Sequence, residues 1–289
     1  MSFISNPITG VIIGAGFYML APTIGKVSAS LSQKITDIFR RFRNPAEIHD
    51  IPQPAPSPEI PLSAHEMQYA DALVKLYNCC FPDERREFPE SYADIGQIQS
   101  LMVRNRENLK LIQRLDLSHQ NLQMIPAEIN FLVNLQRLDL SHNNLTEAPD
   151  LDANTQLQIA DLSYNRIERR PSFLDHPHLK RINLSYNQLK KPPYLGKLPE
   201  LISLDLSHNL LTRCPRFSSD TELSRGLYPN LLFVQLEFNS LREISTDIAD
   251  LMPSCVVRLK NNPFSDEYQQ QVAQEEDRDL RPHFQFFGF

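Results

Sequence analysis

Between residues 109 and 265 the apolar positions recur in one fixed arrangement. An apolar residue (Ile112, Leu135, Leu157, Leu179, Leu201 or Leu231) is followed three positions on by a triplet of alternating apolar and polar residues. These triplets open seven copies of one phrase: "LDLSHQN" at 115, "LDLSHNN" at 138, "ADLSYNR" at 160, "INLSYNQ" at 182, "LDLSHNL" at 204, "VQLEFNS" at 234 and "VRLKNNP" at 257. Alternation at period two predicts a short strand with one buried face. A polar amide position follows in each copy: Gln120, Asn143, Asn165, Asn187, Asn209, Asn239 and Asn262, spaced 23, 22, 22, 22, 30 and 23 residues apart. Self-similarity at this period predicts a solenoid, whose coils cannot close their own cores and must stack. Each buried leucine then contributes roughly 1.5–3 kcal/mol. The asparagines are expected where the strand turns away. There each amide can both donate to and accept from unpaired backbone groups, giving an internal ladder interrupted at Gln120. Pro126, Pro149, Pro171, Pro193 and Pro215 suit the irregular return side of the coils, because proline cannot donate to a ladder.

These phrases resemble the leucine-rich repeat family, whose pattern is LxxLxLxxNxL. "NLQMIPAEINFLVNLQRL" is similar to its intracellular subtype with an "LP" step. The resemblance implies an α/β fold: a solenoid of about seven coils with short parallel strands on a concave face. It also implies a non-enzymatic module that grips a protein partner there. The closing segment "CVVRLKNNPFS" and the helical stretch upstream resemble the layout of bacterial secreted effectors that act inside host cells. Some of those continue into a cysteine-based ubiquitin ligase domain. The segment after Ser265 is too short for one, so ligase activity is not expected.

Three columns of side chains should line the strands between the leucines. The first holds Asp116, Asp139, Asp161, Asn183, Asp205, Gln235 and Arg258; the second is mostly serine, from Ser118 to Ser207. The third holds His119, His142, Tyr164, Tyr186, His208, Phe238 and Asn261, and Arg114, Arg137 and Arg181 add cations at the other margin. "DLSH" contains the residue types of a serine hydrolase. A triad, however, needs one oriented histidine and one activated serine, whereas this trio recurs along the repeat with no glycine-rich elbow. No carboxylate stands at metal-ligand spacing beside His119 and His142, so no metal or cofactor is expected. Aromatic and arginine side chains dominate binding hot spots, so these columns are the expected protein-binding surface.

The solenoid's exposed ends require caps. Upstream, "LSAHEMQYADALVKLYNCCFP" puts Met67, Ala70, Leu73, Val74 and Tyr77 at helical spacing, and "YADIGQIQSLMVRNRENLKLI" predicts a second helix. Residues 62–108 are therefore read as a helical cap, 109–265 as repeats and 266–289 as a C-terminal cap or tail rich in phenylalanine. The interval between coils five and six carries extra residues near 216–229, and insertions in repeats map to loops.

Residues 1–25 carry no charged side chain, and "PITGVIIGAGFYMLAPTIG" is close to the roughly 20 residues that span a bilayer. It reads either as a membrane segment or as an export signal. In the stretch that follows, Val27, Leu31, Ile35, Phe39 and Phe42 share one helical stripe, with Arg40, Arg41 and Arg43 among the cations opposite. A basic amphipathic helix beside an apolar run predicts contact with a membrane surface. Residues 45–61 read as a proline-rich, semi-stiff linker.

Composition narrows the function further. The chain of 289 residues has a formal net charge of -6, against the basic character of most nucleic-acid binders. Cys79, Cys80, Cys214 and Cys255 form neither a disulfide framework nor a zinc spacing, which favours a reducing compartment. No small-molecule substrate is indicated. Two rivals to the effector reading are a membrane-tethered signalling scaffold of the Ras-group repeat type and an enzyme with activity in the N-terminal third, where no nucleophile, base or phosphate loop is found.

Overall fold

The computed structural model describes residues 62–84, 86, 92–217, 228–244, 248, 251, 254–267 and 283–285. The chain divides into two units, Met1–Pro58 and Glu59–Phe289, and all the described residues lie in the second. The apolar segment, the basic stretch with Val27, Leu31, Ile35, Phe39, Phe42, Arg40, Arg41 and Arg43, and most of the linker lie outside them. Among the described residues, no helix is long and apolar enough to cross a membrane.

The predicted period builds an α/β solenoid. Seven strands come from the seven phrases: β1 (Arg114–Asp116), β2 (Arg137–Asp139), β3 (Ile159–Asp161), β5 (Arg181–Asn183), β7 (Ser203–Asp205), β8 (Phe233–Gln235) and β9 (Val256–Arg258). They pair in parallel and in repeat register, as in Leu115↔Leu138 and Leu138↔Ala160. An eighth strand, β10 (His283–Gln285), adds to β9 and closes the sheet. On the return side, β4 (Ser172–Phe173) pairs with β6 (Tyr194–Leu195). Their approach is close: a Cβ on Gly196 would lie 2.1 Å from the Leu174 carbonyl oxygen, which explains glycine there.

One apolar core runs the length of the stack, from Leu115 and Leu138 through Leu162, Leu184 and Leu206 to Leu259. The asparagine ladder lies beside it. Asn165 donates from Nδ2 to the carbonyls of Leu140 (2.9 Å) and Leu162 (3.1 Å) and accepts the Leu145 amide at Oδ1 (3.0 Å). Asn143, Asn187, Asn209 and Asn239 repeat this pattern, bonding each coil to the one before it. Gln120 has no preceding coil, and its side chain lies at the surface.

The return side holds a second polar column that the leucine pattern conceals. Asn154 and His176 occupy positions filled by Leu132 and Leu198 in adjacent coils, and both are fully buried. Asn154 Nδ2 donates to the Ile129 and Leu132 carbonyls, and His176 Nε2 lies 3.0 Å from the Leu151 carbonyl. A carbonyl can only accept, so this contact puts the His176 proton on Nε2.

The N-terminal cap is helical. α1 (Ala64–Cys80) starts at Ser63, which forms a capping box with Glu66, satisfying two helix-end donors reciprocally. It buries Ala70, Leu73, Val74 and Tyr77 as expected, together with Ala72 and Leu76, but Met67 is 48% exposed and faces away. The expected second helix is broken at Asn105 into α2 (Tyr92–Arg104) and α3 (Arg106–Leu109). α1 covers the open edge of β1. Lys75 Nζ donates to the Gln120 carbonyl at 2.7 Å and Cys79 Sγ to the Asp116 carbonyl at 3.3 Å. These groups stand in for a preceding coil and block edge-to-edge pairing. The cap is also pinned by a buried polar cluster, in which Tyr69 and Gln99 both donate to the Glu128 carboxylate (2.7 and 2.9 Å). Burial beside that carboxylate pushes the Tyr69 hydroxyl well above the ordinary tyrosine range.

Candidate protein-binding face

The aspartate–serine pairs form a repeated local bond. Asp116 Oδ1 accepts the Ser118 hydroxyl at 2.7 Å and its amide at 3.0 Å. Asp139–Ser141, Asp161–Ser163 and Asp205–Ser207 do the same, and Asn183 takes the aspartate's part for Ser185. The serine bonds and an arginine neighbour, Arg137, hold the Asp116 carboxyl below its usual range. The "DLSH" question is thereby answered in physical terms. Each of these serines donates to the aspartate or, for Ser185, the asparagine two residues before it rather than to a histidine, and Ser163, Ser185 and Ser207 are buried. No base is aligned on these hydroxyls.

The third column reaches the surface through a backbone turn and not through strand alternation. Alternation from Leu115 and Leu117 would turn residue 119 inward, toward the core. Instead His119, His142, Tyr164, Tyr186, His208 and Phe238 take φ between 52 and 56°, the left-handed region. Each ring is thereby swung out to a lip where the strand ends, off the strand itself. There the six rings stack face to face with centroids 4.0–4.3 Å apart and planes 10–14° from parallel. Left-handed backbone costs a residue bearing a Cβ roughly 1–2 kcal/mol. An aromatic pair contributes about 0.5–1.5 kcal/mol beyond its area, so the stack offsets much of the strain. Ring faces are consumed by neighbouring rings, and the lip presents edges, hydroxyls and imidazole nitrogens. A hydrogen bond to Tyr186 raises the Tyr164 hydroxyl above the usual tyrosine range.

Beside this lip lies an open groove of about 650 Å³, lined by His119, His142, Tyr164, Tyr186, His208 and the ladder asparagines among others. On the strands, Arg114, Arg137 and Arg181 are exposed, whereas the aspartates range from exposed Asp116 to half-buried Asp139, Asp161 and Asp205. The arginine row is discontinuous. Strand register gives the same row Ile159 and Ser203, then Phe233 and Val256 toward the C-terminal end. Phe233 is 43% exposed and was absent from the sequence-derived surface, because it reads as one more apolar letter in "NLLFVQL". Among the described residues no group of three or more His, Cys, Asp or Glu is arranged to hold a metal ion.

Residues 134–153 and 178–198 match the family model described as Leucine Rich Repeat. These coils are leucine-rich repeats. Similar solved structures include a Shigella effector leucine-rich repeat domain, 20% identical with a TM-score of 0.42, covering 68% of this chain and 98% of that one. A Leptospira interrogans leucine-rich repeat protein is 23% identical with a TM-score of 0.45, covering 62% of this chain and 50% of its own. The APL1 leucine-rich repeat domain is 27% identical with a TM-score of 0.41, covering 56% of this chain and 41% of its own. No curated protein matches the chain. Leucine-rich repeats of this kind suggest a protein–protein interaction module.

Proposed function

We propose that the repeat array binds a protein partner across its concave face, with the ring lip and the arginine row as the contact surface. The observation that carries this reading is the unbroken stack from His119 to Phe238, which fixes six aromatic edges beside an open groove. A rigid surface loses little side-chain entropy on binding. The partner is read as a segment that accepts hydrogen bonds from ring edges and pairs with Arg114, Arg137 and Arg181, while its apolar part covers Phe233. In the finer form of this reading, the chain acts as a bacterial effector within a host cell. Its support is the sequence layout of helical cap, repeats and closing segment. A translocation reporter fused to the full chain tests that part separately.

The binding test is capture by the full-length chain compared with a variant carrying Tyr164→Ala, Tyr186→Ala and His208→Ala, and with Arg137→Ala/Arg181→Ala. Both variants should lose the captured partner while their circular dichroism still reports a folded solenoid. An unchanged captured set would overturn the assignment of this face.

A further inference from the structure

A second surface stands apart from the concave face. The turn edge of coils three to five carries Arg169, Arg170, Lys190, Lys191 and Arg213, a group of five cations in a chain of net charge -6. Arg169, Lys191 and Arg213 occupy equivalent positions, each four residues after its ladder asparagine, and therefore stand in one row on successive coils. Like charges facing one another on adjacent strands are destabilising. Neighbouring acids relieve little of this. Arg169 reaches Glu147 at 3.1 Å, an exposed pair, and Glu168 is the one acid within the group. Among the described residues, the side chains of Lys190, Lys191 and Arg213 have no hydrogen-bond or ion-pair partner.

Arg170 is held differently. Its Nε donates to the Pro192 carbonyl at 2.9 Å, and its guanidinium lies 3.4 Å from the centroid of Tyr194. The β4–β6 pairing keeps that ring at the edge, where Tyr194 is 49% exposed, with Leu174 (51%) directly after the paired strand β4. Exposed aromatic and aliphatic side chains interleaved with unpaired Lys and Arg suit a plane of anionic headgroups over an apolar layer. An acidic protein segment would need the cations but would not account for the exposed Leu174 and Tyr194 among them.

We propose that this edge docks onto an anionic lipid bilayer, leaving the concave face open. In the docked state headgroups neutralise the Arg169–Lys191–Arg213 row, while Leu174 and Tyr194 enter the interface. The experiment is co-sedimentation of the full chain with phosphatidylcholine vesicles, with and without phosphatidylserine. Wild type should bind only the anionic vesicles. K191E/R213E should bind them roughly tenfold more weakly or worse, since each cation near such a surface is worth about a fivefold factor. The single variant K191E should also bind more weakly, and its melting temperature should hold or rise, because Lys191→Glu between Arg169 and Arg213 turns a repulsive row into alternating charges. A loss of binding accompanied by a lower melting temperature would point to damaged structure and overturn the proposal. Equal binding by wild type and K191E/R213E would overturn it too. So would capture of poly-glutamate by the wild type with no response to either vesicle. An R40E/R41E/R43E chain separates this edge from the basic N-terminal stretch: it must still prefer anionic vesicles, and indifference to lipid charge would refute docking through the coils.

Discussion

The ring column and the asparagine column run side by side through the coils, one residue apart, yet different forces hold them. Asn187 is 7% exposed, and its carboxamide satisfies backbone groups of its own coil and the previous one. Tyr186 is 40% exposed, holds a strained φ of 54° and is supported mainly by rings above and below. Directional bonding admits one residue type, and the column is asparagine in every coil from Asn143 to Asn262. Stacking asks only for a flat ring, and histidine, tyrosine and phenylalanine alternate freely there. The invariant column therefore holds the fold, and the variable one is where recognition can be written.

The strongest way to break this comparison is Asn187→Leu. The Leu162 and Leu184 carbonyls and the Ile167 amide would lose their partner. A buried polar group left unsatisfied costs about 1–3 kcal/mol, so the expected loss is on the order of 4 kcal/mol in chemical denaturation. A loss below about 1 kcal/mol would show that coil-to-coil strand pairing, not the carboxamide, supplies the support.

A smaller effect tests the other column. Tyr186→Ala removes two stacking contacts, at 4.1 and 4.0 Å, and should destabilise by roughly 1–3 kcal/mol. Tyr186→Gly removes the same contacts but relieves the left-handed backbone, and should be about 1 kcal/mol more stable than the alanine variant. Ordinarily glycine is the worse of the two in an ordered element. If glycine is worse here as well, the ring column is not strained.

These columns differ in how legible they are from sequence. The leucines, the asparagine ladder, the parallel register and the helical cap follow from spacing, because burial and hydrogen bonding at a fixed period leave a fixed period in the letters. The ring stack does not follow in the same way. The identities of His119, Tyr164 and Phe238 are plain, but their direction depends on φ, and strand alternation points them the wrong way. Asn154 and His176 are hidden because the substitution for leucine occurs in only two adjacent coils. Phe233 is hidden for the opposite reason, since a surface phenylalanine beside core residues looks like core. Glu128 joins a buried cluster with Tyr69 and Gln99, partners 59 and 29 residues away, which no local pattern connects.

The aspartate column sets the finest test, because coil four contains its own control. Asn183 accepts the Ser185 hydroxyl at 2.8 Å and the Ser185 amide at 3.1 Å, so a neutral amide oxygen serves as well as a carboxylate. Asp116→Asn should therefore change stability little at neutral pH. The difference lies in acid. Asp116 has a folded-state pKa below its ordinary value of 3.8, through the Ser118 bonds first and Arg137 after them. A depressed carboxylate stabilises the fold fully above its unfolded pKa, and that contribution fades as pH falls through the lower folded value. Wild type should accordingly lose a small increment of stability below about pH 4 that the Asp116→Asn chain does not lose, read as the difference between their melting temperatures across an acid titration. The increment is small because Asp116 is solvent-exposed, where screening weakens such interactions. Parallel acid curves for the two chains would mean that the serine bonds hold the side chain's direction without favouring its charge. The column would then contribute geometry alone to the face that the rings and arginines share.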